Sequence, residues 1–223
     1  MFTMKTFIAE RVDDVNTKGQ HDGMTTRAYH HGELREALLD AALASLDEHG
    51  ELPSWRALAR ACQVSHTAPY RHFANFDALQ SAVAAACFRR LTAAVKAASA
   101  RARDPYQRLA AGLGAYLRFG LRHASWYELM FGRKCLLLRD PQVEAAGQEA
   151  YGTLLTAVAN CGVGAPAAVA LAVWSALHGL TDIAASGIAP PAAGARPQAL
   201  GEDVIAMCVA HVRHHAEDGA ARA

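Results

Sequence analysis

Asp-Pro occurs twice in this chain, at 104–105 and at 140–141, each time just ahead of a run whose apolar residues recur at helical spacing. An aspartate side chain accepts from the free N–H groups of a helix start, and proline suits the first helical position because it brings no N–H of its own. Both pairs therefore mark helix beginnings. The stops agree: Gly50, Gly132, Gly162 and Gly187 each follow a periodic run, where a helix-ending glycine belongs. Read between these signals, the sequence predicts helices over 33–49, 55–62, 66–73, 76 to about 103, 105 through Leu121, 125–131, 141–160, 166–186 and 198–216. That is an all-α fold of about nine helices with no convincing strand.

Composition narrows the class. Hydrophobic residues make up 52% and charged residues 19%, and the net charge is +1, so any nucleic-acid surface has to be local. The five cysteines, Cys62, Cys87, Cys135, Cys161 and Cys208, are odd in number and hold no CxxC pair, which fits buried thiols in a reducing compartment. Residues 1–26 are polar, unlike a secretory signal, and read as a flexible arm for which Met24 is an alternative start. The longest apolar stretch, Ala165 to Leu177, falls short of the roughly 20 residues of a membrane span. The expectation is a soluble, cytoplasmic protein with no membrane partner.

The segment from Ser54 to Phe73 carries the functional signal. Ser54 caps a short helix, Gln63-Val64 makes a turn, and Ser65 caps a second short helix, with Pro69 tolerated in its first turn. Two short helices across a tight turn are the helix-turn-helix arrangement. Between Leu52 and Phe76 stand Arg56, Arg60, Arg71, His66 and His72 but no Asp or Glu. DNA carries a negative charge every ~1.7 Å of axis, and carboxylates on a surface facing it would be repelled.

Tyr29-His30-His31-Gly32, Glu48-His49-Gly50 and above all Val64-Ser65-His66-Thr67-Ala68-Pro69-Tyr70-Arg71-His72-Phe73 resemble the tetracycline-repressor (TetR) family. The resemblance implies that Ser65, His66, Thr67 and Ala68 present the reading edge to bases, while Ser54 and Arg56 reach phosphate. Tyr70 and His72 would hold phosphates or brace the element, Arg71 would do either, and Arg27 would enter the minor groove or touch phosphate as an arm. Phe73 would be core. Two positions depart from the family pattern: Gln63 stands where glycine is usual in the turn, and Phe76 where a lysine commonly meets phosphate.

Beyond residue 104 the resemblance continues in Ser125 to Gly132 and in Trp174-Ser175-Ala176-Leu177-His178-Gly179, the element of the WHG-type C-terminal domain. It implies a pocket walled by Tyr116, Phe119, Trp126, Tyr127, Met130, Phe131, Trp174 and His178 for a small, largely apolar ligand. The implied domains are an arm at 1–26, a DNA-binding domain at 27–76 whose following helix continues to about 103, and a ligand-binding and dimerisation domain at 104–223. The partners are a palindromic double-stranded operator and a second copy of the chain. The last two long helices would form the dimer contact, and ligand would release a repressor from DNA. His211 and His215 share a helix face, which a solvated helix end explains without a metal. No HExxH, GxSxG, phosphate-binding or dinucleotide-binding motif is present, so the expectation is a non-enzyme with no cofactor. The alternative is a helical small-molecule-binding or interaction protein with a weakened DNA module.

Overall fold

The computed structural model describes residues 31–133, 135, 139–187 and 197–221. Among them are eight α-helices and one short 3-10 turn, with no strand. The helices are α1 His31–His49, α2 Trp55–Ala61, α3 Phe76–Ser99, α4 Pro105–Arg122, α5 Ala124–Phe131, α6 Pro141–Ala159, α7 Pro166–Ala185 and α8 Pro197–Ala221. The expected arm, Arg27, His30 and residues 188–196 between the last two expected helices lie outside the described residues.

The caps are where the punctuation put them. Asp104 accepts from the N–H groups of Tyr106 and Gln107 at 3.0 Å each, and Asp140 accepts from Gln142 at 2.8 Å. Ser54 accepts from Ala57 and Asn75 from Ala78. Gly50, Gly162 and Gly187 take positive φ after their helices. In contrast, α8 runs on to Ala221 rather than ending near Ala216.

The expected helix at 66–73 is a correction. Only Pro69–Arg71 are helical, as a 3-10 turn, and the bonds Ala68 N–H to Ser65, Arg71 to Ala68 and His72 to Pro69 all span three residues. Pro69 has no N–H to return to Ser65, so the four-residue ladder cannot start there. Ser65 consequently caps nothing; its hydroxyl pairs with that of Thr67 at 3.2 Å.

The turn ahead of it closes as a Schellman motif. Val64 N–H reaches the Ala59 carbonyl and Gln63 N–H reaches that of Arg60, with Gln63 left-handed at φ +55°. A residue with a Cβ loses roughly 1–2 kcal/mol in that conformation. Gln63→Gly is therefore expected to stabilise the fold by about 0.5–1 kcal/mol after the glycine's extra chain entropy is subtracted. Urea unfolding of the two proteins checks this, and an unchanged or lowered midpoint would contradict it.

The sequence places Leu79, Val83, Cys87 and Leu91 on one stripe of α3, yet every residue from 79 to 88 is buried. The helix packs against α1, α4, α5 and α6, so its first half is enclosed on all sides. One buried cluster joins α1, α2, α3 and α5 through Leu38, Leu43, Leu58, Phe73, Val83 and Trp126. The other joins α4, α6, α7 and α8 through Leu109, Leu113, Val158, Val173, Leu177 and Val212.

Helix α7 also differs from expectation. Past Leu177 it takes in His178, Thr181 and Asp182, yet at 20 residues with mean hydropathy 1.4 it is long and apolar enough to cross a membrane by length and composition. Val169, Ala170, Val173, Leu177 and Thr181 on one of its faces are buried in the fold.

Candidate functional site

The reading edge is built from the residues that follow α2. Ser65, His66 and Thr67 are exposed, Ala68 is half-buried, and Tyr70 and Arg71 project outward next to half-buried His72. Arg56 and Arg60 are exposed on α2 beside the capping Ser54. None of Arg56, Arg60 and Arg71 takes part in an ion pair among the described residues. Nine of the ten candidate DNA contacts lie in the segment Ser54–His72, which holds no Asp or Glu, and Arg27 lies outside the described residues.

A small aromatic clasp supports this edge, and sequence reasoning passed over its centre. Trp55 lies 5.0 Å from Tyr70, 6.5 Å from Phe73 and 6.0 Å edge-on from Phe76, measured between ring centroids. Phe76, at a lysine position of the family pattern, is thereby part of the clasp. Phe73 is 3% exposed and fastens the turn to the core, with the Arg35 guanidinium 5.4 Å from its ring. A tryptophan opening a short helix, followed by aromatics at 70, 73 and 76, was the signal available.

Helix α5 ties this head to the rest of the fold. The Trp126 indole N–H donates to the Leu43 carbonyl at 3.2 Å, and His123 meets Asp47 at 2.8 Å. Arg90 on α3 pairs with Asp40 on α1 and lies over the Trp126 ring.

A cavity of about 90 Å³ lies between α3, α4, α6 and α7. Of the residues expected to wall a pocket, Tyr116, Phe131 and Trp174 line it. Tyr127 and His178 join Tyr116 through hydrogen bonds: the two tyrosine hydroxyls are 2.9 Å apart, and the Tyr116 hydroxyl is 3.1 Å from His178 Nδ1. Phe119, Trp126 and Met130 sit instead in the cluster shared with α1 and α3. Their aromatic and sulfur-bearing side chains mark apolar surroundings, which a core supplies as readily as a pocket. The remaining wall comes from residues that the sequence did not single out for a pocket, chiefly Leu91, Thr92 and Val95 of α3, Arg108 of α4 and Tyr151 of α6.

Burial dominates the titration of the tyrosine–histidine group. It pushes the Tyr116 hydroxyl up to about 12 and raises that of Tyr127 further. It also holds the His178 imidazole below its ordinary value, against the opposing pull of Asp182. His178 is thus neutral near pH 7, with Nδ1 positioned to accept from a tyrosine hydroxyl. A histidine whose folded value is depressed adds stability that is complete above about 6.5, the unfolded value, and fades as pH falls through the folded one. Acid from pH 7 to 5 should lower the melting temperature more in the native protein than in His178→Gln; equal losses would contradict this.

Helices α7 and α8 carry exposed apolar side chains among exposed polar ones such as Ser175, Glu202 and Asp203. Among the described residues the large hydrophobic side chains left exposed are Tyr70, Leu171, Ile183 and Met207, the last three all on these two helices. On α8 the rings of His211 and His215 are 4.6 Å apart, and no group of three metal-binding side chains converges among the described residues.

Residues 109–208 match the family of tetracyclin repressor-like C-terminal domains. Among solved structures, a protein of unknown function from Rhodococcus sp. RHA1 is 34% identical with a TM-score of 0.70, over 85% of this chain and 99% of that one. A TetR-like transcriptional regulator from the same organism shares the fold at 17% identity and a TM-score of 0.57, over 81% of this chain and 96% of its own. A TetR family regulator from Marinobacter aquaeolei VT8 does so at 18% and 0.58, over 80% and 94%. No curated protein matches. The C-terminal domain match and the all-helical architecture agree: residues 109–208 belong to the tetracyclin repressor-like C-terminal domains, and the chain shares its fold with TetR family regulators.

Proposed function

We propose that this chain is a sequence-specific DNA-binding transcriptional regulator: a homodimeric repressor that leaves a palindromic operator when a small, largely apolar ligand fills its cavity. The observation that carries the reading is the use of one helix for two tasks. The start of α3 buries itself against the helix-turn-helix head, and Leu91, Thr92, Val95 and Ser99 further along it wall the cavity. A ligand that parts α3 from α4 or α6 therefore moves the mount of the reading edge. The DNA-binding unit is residues 27–76, with α3 as the connector into the effector and dimer unit from 104 onward.

In the dimer the exposed faces of α7 and α8 meet their two-fold copies, covering Leu171, Ile183 and Met207. Two-fold symmetry in the protein then mirrors two-fold symmetry in the operator. Release requires the ligand to prefer the non-binding shape, by about 10⁴-fold to turn 99:1 occupancy around.

The test is selection of bound genomic fragments at about 150 mM salt, followed by titration of the best site. A palindrome bound at nanomolar affinity, and weakened by more salt and by Tyr70→Ala, is the expected result. Weak, sequence-blind binding would overturn the regulator reading in favour of a helical binding protein with a lapsed DNA module.

A further inference from the structure

We infer that the cavity between α3, α4, α6 and α7 takes a small amphipathic anion, an apolar body with one carboxylate-like head held by Arg108. The inference rests on the reading of this cavity as the effector site and adds the chemistry of its ligand.

It follows from asking which polar groups lining the cavity are still free to bind something. Thr92 donates to the Phe88 carbonyl at 2.9 Å, Thr153 to that of Glu149 at 3.0 Å, and Tyr151 to that of Ala167 at 3.5 Å. Ser99 donates to the Arg108 carbonyl at 3.0 Å. The Tyr116 hydroxyl is shared with Tyr127 and His178. Every hydroxyl proton on the wall is thus committed to a protein acceptor. The rest of the lining is apolar, and no carboxylate is part of it.

Arg108 is the exception. Its Nε donates to the Ala102 carbonyl at 3.0 Å, and it has no ion pair among the described residues. Asp104, one turn earlier, directs its carboxylate to the N–H groups of Tyr106 and Gln107. The terminal guanidinium nitrogens therefore remain available at the rim, on an exposed side chain. Arg101 and Arg103, also exposed, flank the Ala102 that holds Arg108 and add positive potential there.

A neutral polar ligand would lose its water and find no free hydroxyl inside, whereas a cation would meet Arg108. An anion with an apolar tail satisfies both ends: the tail loses water to an apolar wall, and the head gains a charge-assisted, forked hydrogen bond. At about 90 Å³ the cavity suits a short tail unless the helices part.

Calorimetric titration of the full chain with butyrate and hexanoate, against butyramide and hexanamide, tests this. Each acid should bind at least tenfold more tightly than its amide. Arg108→Gln should bring the acid down to the amide's affinity, and Arg108→Lys should keep part of the preference. Ala150→Leu, which fills the cavity from α6, should abolish binding of all four probes; melting curves confirm that the variants fold. Equal affinity of acid and amide, lost in Ala150→Leu, would overturn the anion while leaving the cavity as the effector site. No binding by any probe, or acid binding that survives Ala150→Leu, would overturn both. Should Arg108→Gln fail to fold, the acid–amide difference in the native protein and its weakening by salt decide the matter.

Discussion

Phe73→Ala should destabilise the protein by about 3–5 kcal/mol, the range for removing a buried phenylalanine side chain. Phe73 is 3% exposed and belongs to the cluster containing Leu38, Leu58, Leu79 and Val83. It directly follows a 3-10 turn of three residues, which has too few hydrogen bonds to persist unaided. Without the ring, Tyr70, Arg71 and His72 lose their attachment, so operator affinity should fall even at temperatures where the helices of the cavity remain folded. Urea unfolding measures the first effect, and amide exchange of residues 58–73 against that of α4 and α7 locates it. Tyr70→Ala is the control. Tyr70 is 53% exposed, so its removal should weaken DNA binding with a small change in unfolding midpoint. Equal midpoints for Phe73→Ala and the native protein would show that the turn is held by something other than this ring.

The same contrast explains what was legible in the sequence. Helix starts were, because an Asp-Pro or Ser cap acts on the first turn and needs no distant partner. The acid-free stretch from Leu52 to Phe76 was legible as well, since clearing carboxylates from a segment leaves a mark in composition alone. Long-range geometry was not. Trp126 and Met130 resemble pocket aromatics and fillers on a helix wheel, yet Trp126 donates to Leu43, a residue 83 positions away. Arg108 carries no mark in the sequence beyond its charge, and only the saturation of every hydroxyl around it gives it a role. The recognition element fell between these cases. Pro69 was visible, but whether a single proline still leaves an α-helix or reduces it to a 3-10 turn depends on packing around Pro69 and Phe73, both buried.

Gly120 is such a long-range position, and its substitution should have the second large effect. A Cβ there would overlap the Thr181 methyl and lie 3.1 Å from Tyr127 Cδ2. Neither neighbour can yield cheaply: Thr181 is 0% exposed with its hydroxyl bonded to the Leu177 carbonyl, and Tyr127 is 2% exposed and tied to Tyr116 and His178. Gly201 provides the comparison. A Cβ there would overlap a Leu117 terminal methyl, the far end of a side chain that can turn away. Gly120→Val is therefore expected to cost about 3 kcal/mol, the upper end for overpacking a core. In a chain of this size that corresponds to a melting temperature lower by roughly 6–12 °C. Gly201→Ala should cost less than half as much, because alanine also gains about 1 kcal/mol of helix propensity over glycine. Since α4 meets α5 and α7 at Gly120, the valine should also force Tyr127 away from His178. The imidazole would then lose part of the burial that depresses its titration. An imidazole titration in Gly120→Val that moves up toward the ordinary histidine value is expected; an unmoved one would show that the helices accommodate the valine by separating elsewhere.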